Sequence, residues 1–226
     1  MIVSFERVLT AAELVATREQ LARASWSAGL SAGPQALLAK HNEQLAESCQ
    51  QLPELRQRVM RALNRNAQLL SAALPLKILP PNFNRYADTR NYYGPHTDST
   101  LRPLPDGSYL RTDISATLFL SAPESYEGGE LAIEDIYGTH HIKLAAGSLV
   151  IYPAGSIHEV KPVRSGERLA CYMFMQSLVR DTEQRRHLYE MDLALMALRA
   201  RHGEAEPVLV RLTGLYNNLL RRWSDC

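Results

Sequence analysis

A histidine and an aspartate stand two apart, at His96 and Asp98, directly after a Gly-Pro pair in the run YGPHTD. In a β-strand, side chains at i and i+2 leave the same face, so this spacing presents an imidazole and a carboxylate side by side. Such a pair is half of a metal site and needs a third donor from elsewhere in the chain. Among the seven histidines, His158 fits best, because it opens a β-like run in YPAGSIHEVKPV after a turn containing Pro153 and Gly155. A strand that begins there can aim its ring inward.

Two histidines and one carboxylate on one face make the facial triad of non-haem Fe(II) oxygenases, which leaves coordination positions open for reactants. Structural zinc would instead call for four protein ligands, usually including thiolates, and Cys49, Cys171 and Cys226 show no such grouping. Ten residues past His158, Arg168 follows the Ser-Gly turn in EVKPVRSGE. That turn is expected to fold the two runs into a hairpin and to return the guanidinium to the neighbourhood of the ligands. A buried arginine needs an anion, and its planar fork suits a carboxylate, such as the far end of a dicarboxylate co-substrate. Taken singly, H-x-D arises by chance, a histidine in a β-run is usually a satisfied polar residue, and an arginine after a turn is usually solvated. Their order and spacing on one β-rich segment carry the reading.

The elements that must position these groups fall into three stretches. In the first, Thr10 and Glu13 form a capping box that starts a helix with Leu14 and Leu21 on its apolar stripe. A second helix is expected from Pro53 through Leu55, Val59, Met60 and Leu63 towards Leu70, ahead of Pro80-Pro81. Residues 27–40, with Gly29, Gly33 and Pro34, read as loop. From about residue 76 short apolar or alternating runs follow one another, among them ISATLFLS, GGELAIED, GSLVIYP and RLACYMFMQS, broken by Gly, Pro, Ser and Asp. No helical pattern interrupts residues 112–177, which points to an antiparallel sandwich or barrel. After Val179 the helical period returns, with Leu188, Met191, Leu195 and Leu198, and then Leu212, Leu215, Tyr216, Leu219, Leu220 and Trp223. Leu118, Ile151 and Met173 are expected to give the site an apolar lining.

Composition removes several classes of function. The 226 residues suffice for a substantial core, and 25 Lys+Arg against 24 Asp+Glu leave a net charge of +1. That balance is no footprint for nucleic acid or an anionic membrane; Arg185-Arg186 and Arg221-Arg222 read as solvated helix faces. Three widely spaced cysteines suit reduced thiols. The N-terminal segment has no basic and apolar leader pattern, and no apolar run approaches a membrane span. A cytoplasmic protein is expected.

The run NRYADTRNYYGPHTD resembles the strand that leads to H-x-D in the Fe(II)/2-oxoglutarate-dependent dioxygenases of the prolyl-hydroxylase-like branch. RTDISATLFLSAPESYEGGELAIED, GSLVIYPAGSIHEVKPVRSGERLACYMFMQSLVRD and the tail LTGLYNNLLRRW are similar to the bacterial PKHD-type hydroxylases over nearly the whole chain. The resemblance implies an α+β fold: a double-stranded β-helix (jelly-roll) core over 78–178, an N-terminal helical region over 1–77 packed on it, and a C-terminal helical pair over 179–226. It also implies that His96, Asp98 and His158 hold Fe(2+), that Arg168 binds the distal carboxylate of 2-oxoglutarate, and that Tyr86 adds a hydroxyl to that carboxylate. The chain departs from the pattern in its polarity around H-x-D, at Thr97, Ser99 and Thr100, a difference that bears on substrate contacts. L-ascorbate is the implied reductant for iron oxidised in uncoupled turnovers, and a small-molecule or peptidyl substrate would be hydroxylated with release of succinate and carbon dioxide. A link to iron uptake, through a siderophore-related compound, follows from the same family association.

Three other classes compete. A cupin-like metalloenzyme would not need Arg168; a non-catalytic iron or 2-oxoglutarate sensor would leave the co-substrate intact; a partner-binding scaffold would tolerate loss of the triad. The C-terminal helices are expected to pack partly against a second subunit, giving a homodimer, because their exposed stripes would form a large apolar patch.

Overall fold

Thr10 starts the first helix as expected. Its hydroxyl accepts from the Glu13 amide while the Glu13 carboxylate accepts from the Thr10 amide at 2.9 Å, closing the capping box of α1 (Ala11–Ala22). Arg65 grips the same carboxylate, and that ion pair holds Glu13 down at about 2. The helix expected to run from Pro53 to Leu70 is instead two. α2 (Leu52–Asn64) stops at Arg65, and the Asn66 side chain accepts from the Leu69 amide at 3.0 Å to cap α3 (Ala67–Ala73). An asparagine that satisfies an orphan amide competes with helix continuation, so the apolar period carries on while the axis does not. The computed structural model describes residues 1–29 and 38–225; most of the loop expected over 27–40, with Gly33 and Pro34, lies outside them, as does Cys226.

Two antiparallel sheets face each other. The larger has the order β1 (Val3–Phe5), β14 (Leu149–Pro153), β10 (Ile114–Phe119), β17 (Arg168–Ser177), β6 (Asn82–Tyr86), β4 (Glu43–Leu45) and β2 (Trp26–Ala28), with β5 (Pro75–Ile78) also paired to β17. The smaller has the order β13 (Gly138–Ile142), β12 (Leu131–Asp135), β15 (His158–Val160), β7 (Tyr92–His96) and β3 (Lys40–His41). Two ribbons, β8 (Leu101–Pro103) with β9 (Tyr109–Arg111) and β11 (Tyr126–Gly128) with β16 (Val163–Gly166), complete the pairing. Residues before 78 thus contribute strands as well as helices to the layers. This is the jelly-roll core of an α+β fold.

Period-two alternation divides the larger sheet into two unlike faces. Phe83, Ala116, Leu118, Leu149, Ile151, Cys171 and Met173 point outward and pack on Leu52, Leu55, Val59 and Leu63 of α2. Tyr86, Phe119, Val150 and Tyr152 point inward and meet Leu131, Ile133 and Val160 of the smaller sheet. Behind these layers, α4 (Thr182–His202) and α5 (Pro207–Trp223) close on Leu74 and Val179 through Leu188, Tyr216, Leu219, Leu220 and Trp223. Neither helix is long and apolar enough to cross a membrane.

Arg185 corrects the expectation of a solvated basic face. It is 2 % exposed, and its guanidinium donates to the Val179 and Arg180 carbonyls, each at 2.7 Å, and to Thr182 Oγ1 at 3.0 Å. A long side chain at the start of a helix can fold back over the entering chain and satisfy carbonyls that no strand pairs. Arg186, one residue on, stays outside with Glu183 and Glu190.

Leu55 is completely buried between α2 and the larger sheet, whereas Val15 on α1 is 56 % exposed. Leu55→Ala should lower the unfolding free energy by about 2–5 kcal/mol through lost transfer energy and a residual cavity. Val15→Ala should change it by less than about 0.5 kcal/mol. Urea denaturation of both variants checks the difference, and equal midpoints would contradict this packing.

Candidate active site

Strand pairing brings the two histidines together. His96 ends β7 and His158 begins β15, and the antiparallel register sets them directly opposite one another, with ring centroids 4.3 Å apart. Asp98 arrives differently from the expectation. β7 stops at His96, so Asp98 lies past the strand end, where its amide donates to the Ala154 carbonyl at 3.3 Å. That bond ties the H-x-D segment to the turn before His158 and leaves the carboxylate 3.5 Å from His158 Nε2. Each of the three residues offers a ligand atom, and these atoms lie within 4.8 Å of one another.

The hydrogen bonds around the cluster settle which atoms face it. His96 Nδ1 lies 2.8 Å from the Gly94 carbonyl and His158 Nδ1 lies 3.0 Å from that of Ser156. A carbonyl only accepts, so each ring places an Nδ1 proton on its carbonyl and leaves Nε2 as the nitrogen available to a metal, the orientation that a metal ligand needs. Tyr93 stacks on His96 with centroids 3.6 Å apart and planes at 13°. Burial, and then the neighbouring His158, hold His96 down at about 4, so its ring is neutral at physiological pH. Asp98 Oδ2 accepts from Ser115 Oγ at 2.6 Å, which fixes the carboxylate, and Oδ1 is 3.7 Å from the Arg102 guanidinium.

Arg168 reaches the same cavity by another route. The expected hairpin does not form: β15 pairs with β12 and β7, while β17 pairs with β10, β6 and β5 in the opposite sheet. Between them, β16 pairs with β11 and carries the chain across. The guanidinium therefore faces the His-Asp-His cluster from across the sandwich. It is 1 % exposed, lies 5.2 Å from the Tyr86 ring and 5.3 Å from that of Phe119, and none of its nitrogens has a hydrogen-bond partner on the protein. Gly129 makes the room. At φ +67°, a Cβ there would come within 2.8 Å of Val163 and 3.1 Å of Arg168 Cδ.

Tyr86 pairs with Arg168 in register, and its hydroxyl oxygen accepts from Asn42 Nδ2 at 3.0 Å and from Asn84 Nδ2 at 3.3 Å. With both lone pairs engaged, its proton remains to be donated into the cavity. That cavity holds about 130 Å³ and is lined by both sheets. Met173 borders the wall although it also packs in the helix-facing core, whereas Leu118 and Ile151 belong to that core and do not reach the cavity. Alternation puts Ser115, Thr117, Asn82, Asn84 and Tyr172 inward instead, so the cavity is more polar than apolar runs alone suggest. The sequence does carry that signal: Ser115 and Thr117 are polar positions at period two inside ISATLF. Lys40, Arg102, Asn42 and Gln44 also line the wall, and only folding reveals them, because they come from separate strands and loops. His140 and His141 are exposed on β13, away from the cluster, with His140 Nε2 2.8 Å from Asp135.

The ligand chemistry fits a 2-oxoglutarate-dependent iron site: nitrogen and carboxylate donors on one side, and a buried cation with a free hydroxyl proton on the other. Comparison with known proteins agrees. Residues 81–176 match the model of the 2OG-Fe(II) oxygenase superfamily, and residues 182–225 match that of the PKHD-type hydroxylase C-terminal domain. The chain is 54% identical to a PKHD-type hydroxylase of Azoarcus sp. (strain BH72) and 56% identical to one of Nitrosomonas europaea, in each case over 100% of both chains. Among solved structures it is similar to a prolyl hydroxylase from Trichoplax adhaerens in complex with a hypoxia inducible factor peptide fragment. That similarity has a TM-score of 0.55 at 16% identity, covers 83% of this chain and 86% of that one, and bears on the fold alone. Full-length identity above half, with the site residues brought together in one cavity, shows that this chain belongs to the PKHD-type hydroxylases of the 2OG-Fe(II) oxygenase superfamily.

Proposed function

We propose that His96, Asp98 and His158 hold Fe(II), that Arg168 and Tyr86 bind the distal carboxylate of 2-oxoglutarate, and that the enzyme hydroxylates a C–H bond of a small-molecule or peptidyl substrate, releasing succinate and carbon dioxide. The observation that carries this reading is the unpartnered Arg168 guanidinium, fully buried in the same cavity as the His-Asp-His cluster. An unpaired buried charge is costly, and a carboxylate from a ligand is the group that would relieve the cost. A scaffold, or a metalloenzyme without the co-substrate, has no use for that arrangement.

When bound, iron and 2-oxoglutarate supply the oxidising chemistry. The chain's own residues hold and orient them. The Gly94 and Ser156 carbonyls fix the imidazoles so that each Nε2 could bind the metal, Ser115 keeps the Asp98 carboxylate from rotating away, and Leu131 and Val160 restrict water. The uncommitted Tyr86 proton supports a second hydrogen bond to the carboxylate beside the arginine fork. L-ascorbate would restore iron oxidised without product, and the protein would work in the cytoplasm. A siderophore-related substrate, and with it a role in iron uptake, rests on the family association alone.

A homodimer through the C-terminal helices belongs to the same reading. Leu193, Met196, Val208, Val210 and Leu215 are exposed on α4 and α5 although other members of their stripes are covered. Light scattering should give twice the mass of the 25.4 kDa chain, and a monomer would remove the dimer from this proposal.

Iron stoichiometry under anaerobic conditions tests the ligands. His96→Ala, Asp98→Ala and His158→Ala should each lose most bound Fe(II), since removing one donor of three opens the site to water. His140→Ala and His141→Ala should retain it. Full occupancy in His158→Ala would refute the triad.

Arg168→Ala should weaken 2-oxoglutarate binding by roughly thirty-fold to several thousand-fold, because losing one partner of a buried charge pair costs about 2–5 kcal/mol at ~1.4 kcal/mol per decade. Arg168→Lys should lose less, keeping the charge without the fork. Anaerobic titration of 2-oxoglutarate into the Fe(II) form, followed through its visible charge-transfer band, measures both. Unchanged affinity in Arg168→Ala would contradict the assignment, and 2-oxoglutarate binding without succinate release under any condition would favour a sensor.

A further inference from the structure

A second polar side chain is buried beside Arg168 with nothing to bond to. Tyr126, the first residue of β11, is 5 % exposed, and its hydroxyl has no hydrogen-bond partner. Arg168 lines the cavity, and Tyr126 does not. The pairing of β11 with β16 sets Tyr126 opposite Gly166, two residues before the arginine. Ring and arginine stem meet over Gly129, where an added Cβ would lie 2.9 Å from Tyr126 Cε2 and 3.1 Å from Arg168 Cδ. The hydroxyl comes to the guanidinium: burial raises the Tyr126 phenol, and the neighbouring Arg168 charge opposes that rise. Lys143 fixes the ring in place, with its ammonium 4.0 Å from the ring centroid and donating to the Tyr126 carbonyl at 2.8 Å.

A buried hydroxyl without a partner is destabilising, and a phenylalanine ring would fill the same space without it. What the oxygen faces is therefore the question. A guanidinium carries five N–H donors in one plane, and a carboxylate in a paired bond takes two of them. The rest need acceptors. Tyr86 and Phe119 present rings to Arg168, with centroids 5.2 and 5.3 Å from Cζ. The Tyr86 oxygen is not available, because it already accepts from Asn42 and Asn84. The Tyr126 oxygen has both lone pairs free.

We infer that Tyr126 is a positioning residue for the co-substrate: its hydroxyl oxygen accepts an N–H of Arg168 that the 2-oxoglutarate carboxylate leaves free, and so fixes which edge of the fork faces the cavity. This rests on the assignment of Arg168 to that carboxylate. Tyr126 lies outside the cavity, so it acts through the arginine and touches neither metal nor co-substrate. Its loss should be felt by keto acids that reach Arg168, and by no others.

The test compares two keto acids on the anaerobic Fe(II) protein, each followed through its visible charge-transfer band. 2-Oxoglutarate carries a distal carboxylate; pyruvate has the same keto acid head and lacks it. Tyr126→Phe should weaken 2-oxoglutarate roughly ten-fold, the lower end for a hydrogen bond to a charged group, and leave pyruvate unchanged. In an Arg168→Ala background the same substitution should have no further effect on 2-oxoglutarate, because the group it acts through is gone. Tyr126→3-fluorotyrosine keeps the ring and weakens only the oxygen as an acceptor, so it should give an intermediate affinity, and it serves if Tyr126→Phe does not fold. Fe(II) stoichiometry in the same samples reports an intact metal site. Unchanged 2-oxoglutarate affinity in Tyr126→Phe would leave the hydroxyl a packing group and overturn the inference. Equal weakening of both keto acids would overturn it too, as would a loss that persists undiminished in the Arg168→Ala background. If Arg168→Ala itself leaves 2-oxoglutarate affinity unchanged, the underlying reading fails; if Arg168→Ala weakens it and Tyr126→Phe does not, only this inference does.

Discussion

The alternation of β17 between two unlike environments is the constraint on which the molecule depends. This ten-residue strand sits inside the larger sheet, with β10 on one side and β6 and β5 on the other. Leu169, Cys171, Met173 and Met175 pack towards the helices, and Arg168 and Tyr172 turn towards the cavity. A one-residue slip would bury the guanidinium against α2 and expose the core residues, so packing and chemistry enforce the same register. The hydrophobic face is what makes a buried, unpaired arginine tolerable. Its cost of several kcal/mol is carried by a core whose residues, from Phe83 to Met175, are almost wholly inaccessible.

The smaller sheet needs only short strands, because its task is to set two side chains opposite one another. β7 and β15 place His96 and His158 in register, and the Gly94 and Ser156 carbonyls orient the rings. The third member of the cluster comes from the irregular chain just past β7, anchored to Ala154 and Ser115. Ser115 belongs to β10 of the larger sheet, so a carboxylate from one layer is steadied by a hydroxyl from the other. The separation of the sheets is thereby coupled to the geometry of the proposed metal ligands, and the conformational freedom of Asp98 is small before any ligand arrives.

The cations of the cavity differ in depth. Arg168 is enclosed by Tyr86 and Phe119, deep in the sandwich, whereas Lys40 and Arg102 are only partly buried. The polar residues on this wall, Asn42, Gln44, Asn82 and Asn84, come from β4, β6 and the link that precedes β4, on the same side as Tyr86. Asn42 and Asn84 spend their amide donors on the Tyr86 hydroxyl, so this network sets the direction of one proton.

Local chemistry in the sequence determined much of this protein. Short runs broken by turn residues specify an antiparallel sandwich, the Thr10-Glu13 box specifies the start of a helix, and His96, Asp98, His158 and Arg168 are legible by type and spacing. Those features depend on neighbours within a few residues, or on the solvent preference of each side chain. Sheet membership was decided only by tertiary structure. His158 and Arg168 are ten apart and end in opposite sheets, because β-pairing is a long-range choice that a Ser-Gly turn does not reveal. Tertiary structure also buried Arg185, whose charge alone suggests solvent, by supplying unpaired carbonyls at Val179 and Arg180. It sent Leu118 and Ile151 to the helix side of their strands, and it gathered Lys40, Arg102 and Ser115 around the site. Which face of a strand is inside, and which distant cation meets which ligand, depends on packing between segments far apart in the chain, and no local pattern encodes that.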